Sequence, residues 1–183
     1  MPETVKMFEL IRVHPGHEEE LMEELMKLPQ VTETHLLAGK FDVMATMAFE
    51  KQIVDEREQM IPVIFGKIRK MPIVRDTSTI APAISLMREV NLSNPERRVF
   101  AFVFISTKFG KEQDVMRDVF KLDGVAESHL LLGKSDILAV LHFEKDFPLT
   151  VSESAARIVT ERIAKVENIL GTQTLCPLRS ITK

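Results

Sequence analysis

Two short strings hold most of the residues in this chain that could do chemistry. One is HLLAGKFD, His35 to Asp42, and the other is HLLLGKSD, His129 to Asp136. Asp42 and Asp136 stand three positions after Gly39 and Gly133. A carboxylate there can hold a ligand's ammonium group through a charge-assisted hydrogen bond, or it can cap the turn by accepting from a nearby backbone N–H. Lys40 and Lys134 lie inside the same turn. His35 and His129 precede it on a strand, as ligand contacts or, if two copies meet, as a metal pair. The bland alternative is a half-buried strand histidine with one hydrogen bond, and no second ligand at metal spacing accompanies either one. Thr77 and Thr79, with Thr172 and Thr174, alternate along a later strand. Strand propensity explains them; a hydroxyl contact with a ligand near the turn is the functional alternative.

Other candidates are weaker. The PG of HPGH, His14 to His17, is a turn signal ahead of a helix, and both histidines read as loop and first-turn residues. Cys176 has no base near it in sequence and sits in an apolar strand, which argues against a catalytic thiol. There is no glycine-rich phosphate loop, no nucleophile elbow and no carboxylate pair at recognisable spacing. The expectation is a protein that is not an enzyme, with no cofactor and no metal.

The elements that must position these residues come twice. VTETHLLAGKFDVMATMAFE, Val31 to Glu50, matches VAESHLLLGKSDILAVLHFE, Val125 to Glu144, at eleven of twenty positions, with an offset of 94. Val5, Phe8, Ile11, Gly16, Met22 and Leu28 match Val99, Phe102, Ile105, Gly110, Met116 and Leu122. Near the end of each copy the offset becomes 95, where DTSTIAP faces GTQTLCP. A repeat this long implies two copies of one small fold.

Each copy reads as a strand (VKMFELIRV, VFAFVFIST), a charged helix (His17 to Leu28, Lys111 to Leu122), two strands joined by the quoted turn, a second helix and a last strand. Gly39 and Gly133 are expected to supply a positive φ in the turn. Thr150 and Glu153 form a capping box ahead of the second helix of copy two. In copy one, Pro62 and Gly66 predict a kinked or split helix between Gln52 and Lys70. The order βαββαβ is the ferredoxin-like split unit, an α+β fold with four antiparallel strands and two helices on one side. Two tandem ferredoxin-like βαββαβ repeats of the dimeric αβ-barrel or sandwich type are therefore expected. They span 1–82 and 99–183, with a linker over 83–98 whose NLSNPERR portion is loop-like.

Charge and hydropathy narrow the function. The net charge is −3 with a pI of 6.0, so no broad basic field exists to grip nucleic acid. No apolar run reaches eighteen residues, so no membrane span is expected, and the N-terminus lacks the pattern of a secretion signal. One cysteine excludes an internal disulfide. These features together read as cytoplasmic.

The paired strings, with MPIVRDTST and ILGTQT at the repeat ends, resemble the effector-binding domain of the Lrp/AsnC, or feast/famine, transcriptional regulators. That family carries a His-Leu-x-x-Gly-x-aromatic-Asp motif on its central hairpin and a Pro-Gly-Val-x-x-Thr-x-Thr stretch entering the last strand. The resemblance implies sheets stacked in dimers, dimers assembled into rings, and amino acids or related metabolites bound near the Gly-x-x-Asp turn. The sequence departs from the pattern in having no helix-turn-helix segment ahead of the first strand. It also departs at Lys40 and Lys134, where an acidic residue is frequent, at Ser135, where the aromatic belongs, and at Asn168 to Leu170. The expected function is small-molecule sensing by a stand-alone pair of effector domains. The expected ligand set is Gly39, Lys40, Asp42, His35, Thr77, Thr79, Gly133, Lys134, Asp136, His129, Thr172 and Thr174. The expected partners are an amino-acid-like effector, further copies of the chain as a dimer or a ring of four, and a DNA-binding regulator of the same family. The alternatives are a barrel enzyme of the small-oxygenase type and a purely structural assembly module.

Overall fold

The computed structural model describes residues 4–50, 56–90, 98–144 and 150–183. Its chain divides into two compact units, one made of Met1–Ala81 with Pro177–Lys183 and the other of Pro82–Cys176.

In the first unit β1 (Thr4–Val13) is the spine of the sheet. Met7, Ile11 and Val13 enter the core shared with the helices, while Phe8 and Leu10, also buried, belong to the other face. A strand apolar on both faces is one that is covered on both faces. α1 (Glu18–Met26) buries Leu21, Met22 and Leu25 and carries Glu18, Glu19 and Glu20 in its first turn, where the partial positive charge of the helix start stabilises them. Each fully buried leucine contributes about 1.5–3 kcal/mol. β2 (Val31–Leu36) and β3 (Val43–Glu50) form the hairpin. α2 (Glu56–Ile64) contains Pro62. It runs through Pro62 and stops before a short 3-10 turn, Ile68–Lys70. The corresponding helix of the second unit, Val151–Glu161, ends in the same way before Ile163–Lys165 without a proline or glycine, so the split belongs to both units and does not need Pro62 and Gly66. β4 (Val74–Ile80) then pairs with β1.

The second unit repeats the plan with β6 (Arg98–Thr107), α3 (Glu112–Lys121), β7 (Val125–Leu130), β8 (Ile137–Glu144), α4 (Val151–Glu161) and β9 (Ile169–Leu175). α4 has the expected capping box: Glu153 N–H donates to Thr150 Oγ1 and Thr150 N–H to the Glu153 carboxylate.

Each sheet has a fifth strand that the repeat pattern did not predict. The sheet orders are β10-β2-β3-β1-β4 and β5-β7-β8-β6-β9. β5 (Ile84–Met87) directly follows the first repeat yet pairs with β7 of the second, and β10 (Arg179–Thr182) ends the chain yet pairs with β2 of the first. Each edge strand thus belongs to the compact unit of the other repeat. The stretch read as a linker contains a strand, and most of its NLSNPERR portion, 91–97, lies outside the described residues.

One close approach is specific to the first unit. A methyl group added at Gly66 would meet the Pro62 carbonyl oxygen at 2.2 Å, whereas at Gly133 it would meet open space. Gly66→Ala is expected to destabilise by about 1–3 kcal/mol, and Gly133→Ala to stay within about 0.5 kcal/mol. Urea unfolding midpoints of the two variants check this.

Candidate functional site

The turn residues come first. Of the two turn glycines only Gly39, at φ 144°, has a positive φ; Gly133 does not, so the expectation of a left-handed residue in both turns is corrected. The β1–β4 register shifts between Arg12 and Val13, and the β6–β9 register shifts between Ser106 and Thr107. Such an irregularity leaves a ladder N–H without its strand partner. Asp42 Oδ2 accepts from Val13 N–H at 2.8 Å, and Asp136 Oδ2 from Thr107 N–H at 2.7 Å. One oxygen of each carboxylate is thus committed to the strand beside the turn. Lys40 and Lys134 are exposed, and the Lys40 ammonium lies 5.5 Å from the Phe41 ring centroid.

The histidines sit elsewhere, on the sheet face turned away from the helices. His35 Nδ1 lies 2.8 Å from Ser180 Oγ, and its Nε2 lies 3.4 Å from Glu33 Oε2. In the second unit His129 Nδ1 lies 2.8 Å from Ser85 Oγ, and its Nε2 2.9 Å from Glu127 Oε2. Both imidazoles are wholly buried. The glutamate is reached because residues two apart on a strand share a face, and the serine because β10 and β5 pair Ser180 with His35 and Ser85 with His129. A carboxylate on Nε2 favours the tautomer with hydrogen there and leaves Nδ1 to accept from the serine hydroxyl. Each Ser–His–Glu row sets a hydroxyl, an imidazole and a carboxylate side by side on a buried face, a combination that suits proton transfer or the anchoring of a polar ligand.

The threonines separate by unit. Thr79 is paired with Glu9, and Thr77 with Ile11, so both lie on the helix side of β4. Glu9 is wholly buried, and neither of its oxygens meets hydrogen-bond geometry with a described group. Burial pushes its carboxyl pKa above the ordinary 4.5; the nearby Thr79 and Thr77 hydroxyls and the Arg69 guanidinium pull against that shift without cancelling it. Arg69 Nε donates to Thr77 Oγ1 at 2.7 Å and its guanidinium lies 4.2 Å from the Phe65 ring centroid. In the second unit Thr174 is paired with Val103 and Thr172 with Ile105, and no carboxylate is present at that place. The expected ligand set is therefore spread over three places in the first unit: the turn, the histidine row and the Glu9 surroundings.

The remaining candidates are peripheral. Cys176 follows β9, and burial pushes its thiol pKa up, against thiolate formation. His17 Nδ1 lies 2.7 Å from Glu20 at the start of α1. No group of three or more His, Cys, Asp or Glu among the described residues could hold a metal ion, and no described helix is long and apolar enough to cross a membrane. The sequence reading missed Glu9, the serines and the glutamates. The signals were present: Glu-x-His recurs as ETH and ESH, and Ser85 and Ser180 stand 95 apart.

Comparison with known proteins places these features in context. No family model matches, and no curated protein matches. The crystal structure of the siroheme decarboxylase NirDL matches with a TM-score of 0.68 at 11% identity, over 100% of this chain and 75% of that one. A putative monooxygenase from Lactobacillus acidophilus NCFM matches with a TM-score of 0.59 at 7% identity, over 98% and 96%. FFRP-DM1 is 32% identical over 41% of this chain and 93% of its own, with a TM-score of 0.36. The fold is shared with ferredoxin-like α+β proteins, and Lrp/AsnC-like proteins are among the neighbours at partial coverage. The expectation that the chain is not an enzyme is corrected: structures that match it end to end carry enzyme names, so this tandem fold gives no ground for excluding catalysis.

Two outcomes follow from the geometry. Asp42→Ala should cost about 1–3 kcal/mol by leaving the buried Val13 N–H unpaired, and Asp136→Ala a similar amount at Thr107; chemical denaturation measures both. A carboxyl whose pKa rises on folding stabilises the fold most below 4.5 and loses that contribution as pH climbs through its raised value. Glu9→Val should therefore be more stable than the natural chain at about pH 8, with the gap narrowing toward about pH 4.5. Melting temperatures across that range would show no trend if Glu9 were unstrained.

Proposed function

We propose that the chain is a small-molecule-binding protein of the Lrp/AsnC-like effector type, built as two ferredoxin-like units. The observation that carries this reading is the Ser–His–Glu row, formed twice on wholly buried imidazoles. A polar row buried in a mostly apolar sheet face costs stability unless every group is paired; docking of the edge strands accounts for each serine, and the imidazole with its glutamate is what docking leaves unexplained. The ligand is an amino acid or related metabolite, and binding acts through assembly of further copies or with a DNA-binding regulator.

A second reading is an enzyme that uses His35 or His129 for proton transfer. It is favoured by the end-to-end match to NirDL, a siroheme decarboxylase also crystallised with an iron-uroporphyrin III analogue.

A melting-temperature screen against amino acids, 2-keto acids and an iron porphyrin tests both. Binding should raise the melting temperature by several degrees, and His35→Asn with His129→Asn should abolish the shift. Sensing predicts a change in light-scattering mass with the ligand intact; the enzyme reading predicts loss of the ligand or release of carbon dioxide. No shift with any probe would sink both.

A further inference from the structure

The Glu9 surroundings lie on the helix side of the first sheet, away from the histidine row, and the second unit supplies a natural control for them. Position 9 corresponds to Val103 and position 69 to Ala164. Thr77 and Thr79 correspond to Thr172 and Thr174, so the hydroxyls recur while both charged groups occur once. Val103 sits in a continuous apolar core. Glu9 lies on the β1 face that also carries Met7 and Ile11 into the equivalent core, and neither of its oxygens meets hydrogen-bond geometry with a described group, although the Thr79 and Thr77 hydroxyls act on it.

A carboxylate so placed is costly, and a valine would fill the position. What surrounds it looks like recognition. Two hydroxyls line one side, and beside them stands a guanidinium whose Nε is fixed by Thr77 and whose plane is held on Phe65. Among the described residues, the other side chains packed into this core from α2 and β3 are apolar, and Arg69 is the one charged group set against Glu9. A carboxylate suits a cationic amino group; a guanidinium suits an anionic one. α2, on the same side of the sheet, contains Pro62, and its C-terminal turn passes close to Gly66, whereas α4 has no proline.

We propose that Glu9, Arg69, Thr77 and Thr79 form a binding site, present in the first unit alone, for a small zwitterion, its amino group on Glu9 and its acid group on Arg69. The site is separate from the histidine rows and stands or falls apart from the function proposed above.

Isothermal titration of the full chain with glycine, alanine, leucine, glutamate, lysine and 4-aminobutanoate tests it, with methylammonium and acetate as single-charge controls. At least one zwitterion should bind with one site per chain, tenfold or more tighter than either control. Its binding should weaken tenfold or more in Glu9→Val, Glu9→Gln and Arg69→Ala, and should survive in His35→Asn and His129→Asn. Titration in two buffers of different ionisation enthalpy should show proton release that Glu9→Gln removes, since an amino group stabilises the ionised carboxylate. Absence of binding by every zwitterion, two equivalent sites per chain, or unchanged affinity in Glu9→Val would overturn the proposal. Binding lost in the histidine variants but kept in Glu9→Val would overturn it while supporting the histidine-row reading.

Discussion

A β-sheet edge is a row of unpaired N–H and C=O groups, and something must cover it. Here the edge of β2 is covered by β10 and the edge of β7 by β5, each strand coming from the end of the other repeat. The same three contacts dock both strands. A serine meets the buried histidine; an aliphatic residue, Ile181 or Leu86, packs into the helix-side core; and a basic residue at the strand's end reaches the carbonyl at the end of the first helix. Lys183 Nζ donates to Leu28 O at 2.7 Å, and an Arg88 terminal nitrogen donates to Leu122 O. Cations suit such carbonyls because the last helical C=O groups lack intrahelical partners. The candidate chemistry depends on this covering: without β10 and β5, neither histidine would have its serine.

The docking gives the histidine rows a physical character of their own. Ser180 and Ser85 are reached by the pairing of strands far apart in sequence, so the imidazole's environment reports whether the edge strand is in place. A neutral imidazole that accepts from serine and donates to glutamate is fully satisfied. The second unit holds the glutamate at 2.9 Å and the first at 3.4 Å, so the two rows are alike in composition and different in grip. The two rows thus differ in geometry without any change of residue type.

Much of this was legible in the sequence, because the signals were local. The hairpin repeat and the capping box of Thr150 and Glu153 each depend on a few adjacent residues. The clasp of Asp42 and Asp136 was not legible: each carboxylate accepts from a strand N–H 29 positions away, at Val13 and Thr107, and not from the turn itself. The exchanged strands were not legible: ISLM and RSIT are short, each follows a proline, and their partners stand 44 and 145 positions from the serines. Gly133 shows the other limit. The same residue in the same motif takes a different φ from Gly39, since a turn's backbone depends on its neighbours, and Leu132 and Ser135 replace Ala38 and Phe41 there.

Glu9 illustrates why divergence between repeats can be more informative than agreement. Agreement at the hairpin has a structural cause, since both copies need an acceptor at the same ladder irregularity. Agreement at Ser85 and Ser180 has one too, since both edges need docking. A buried carboxylate in one copy where the other has Val103 has no structural benefit on the helix side of a sheet, because the Thr79 and Thr77 hydroxyls and Arg69 do not offset its burial. Proteins retain such costs at positions where activity or binding needs them. The asymmetry of charge between two otherwise parallel cores therefore points to function more directly than the doubled motif does.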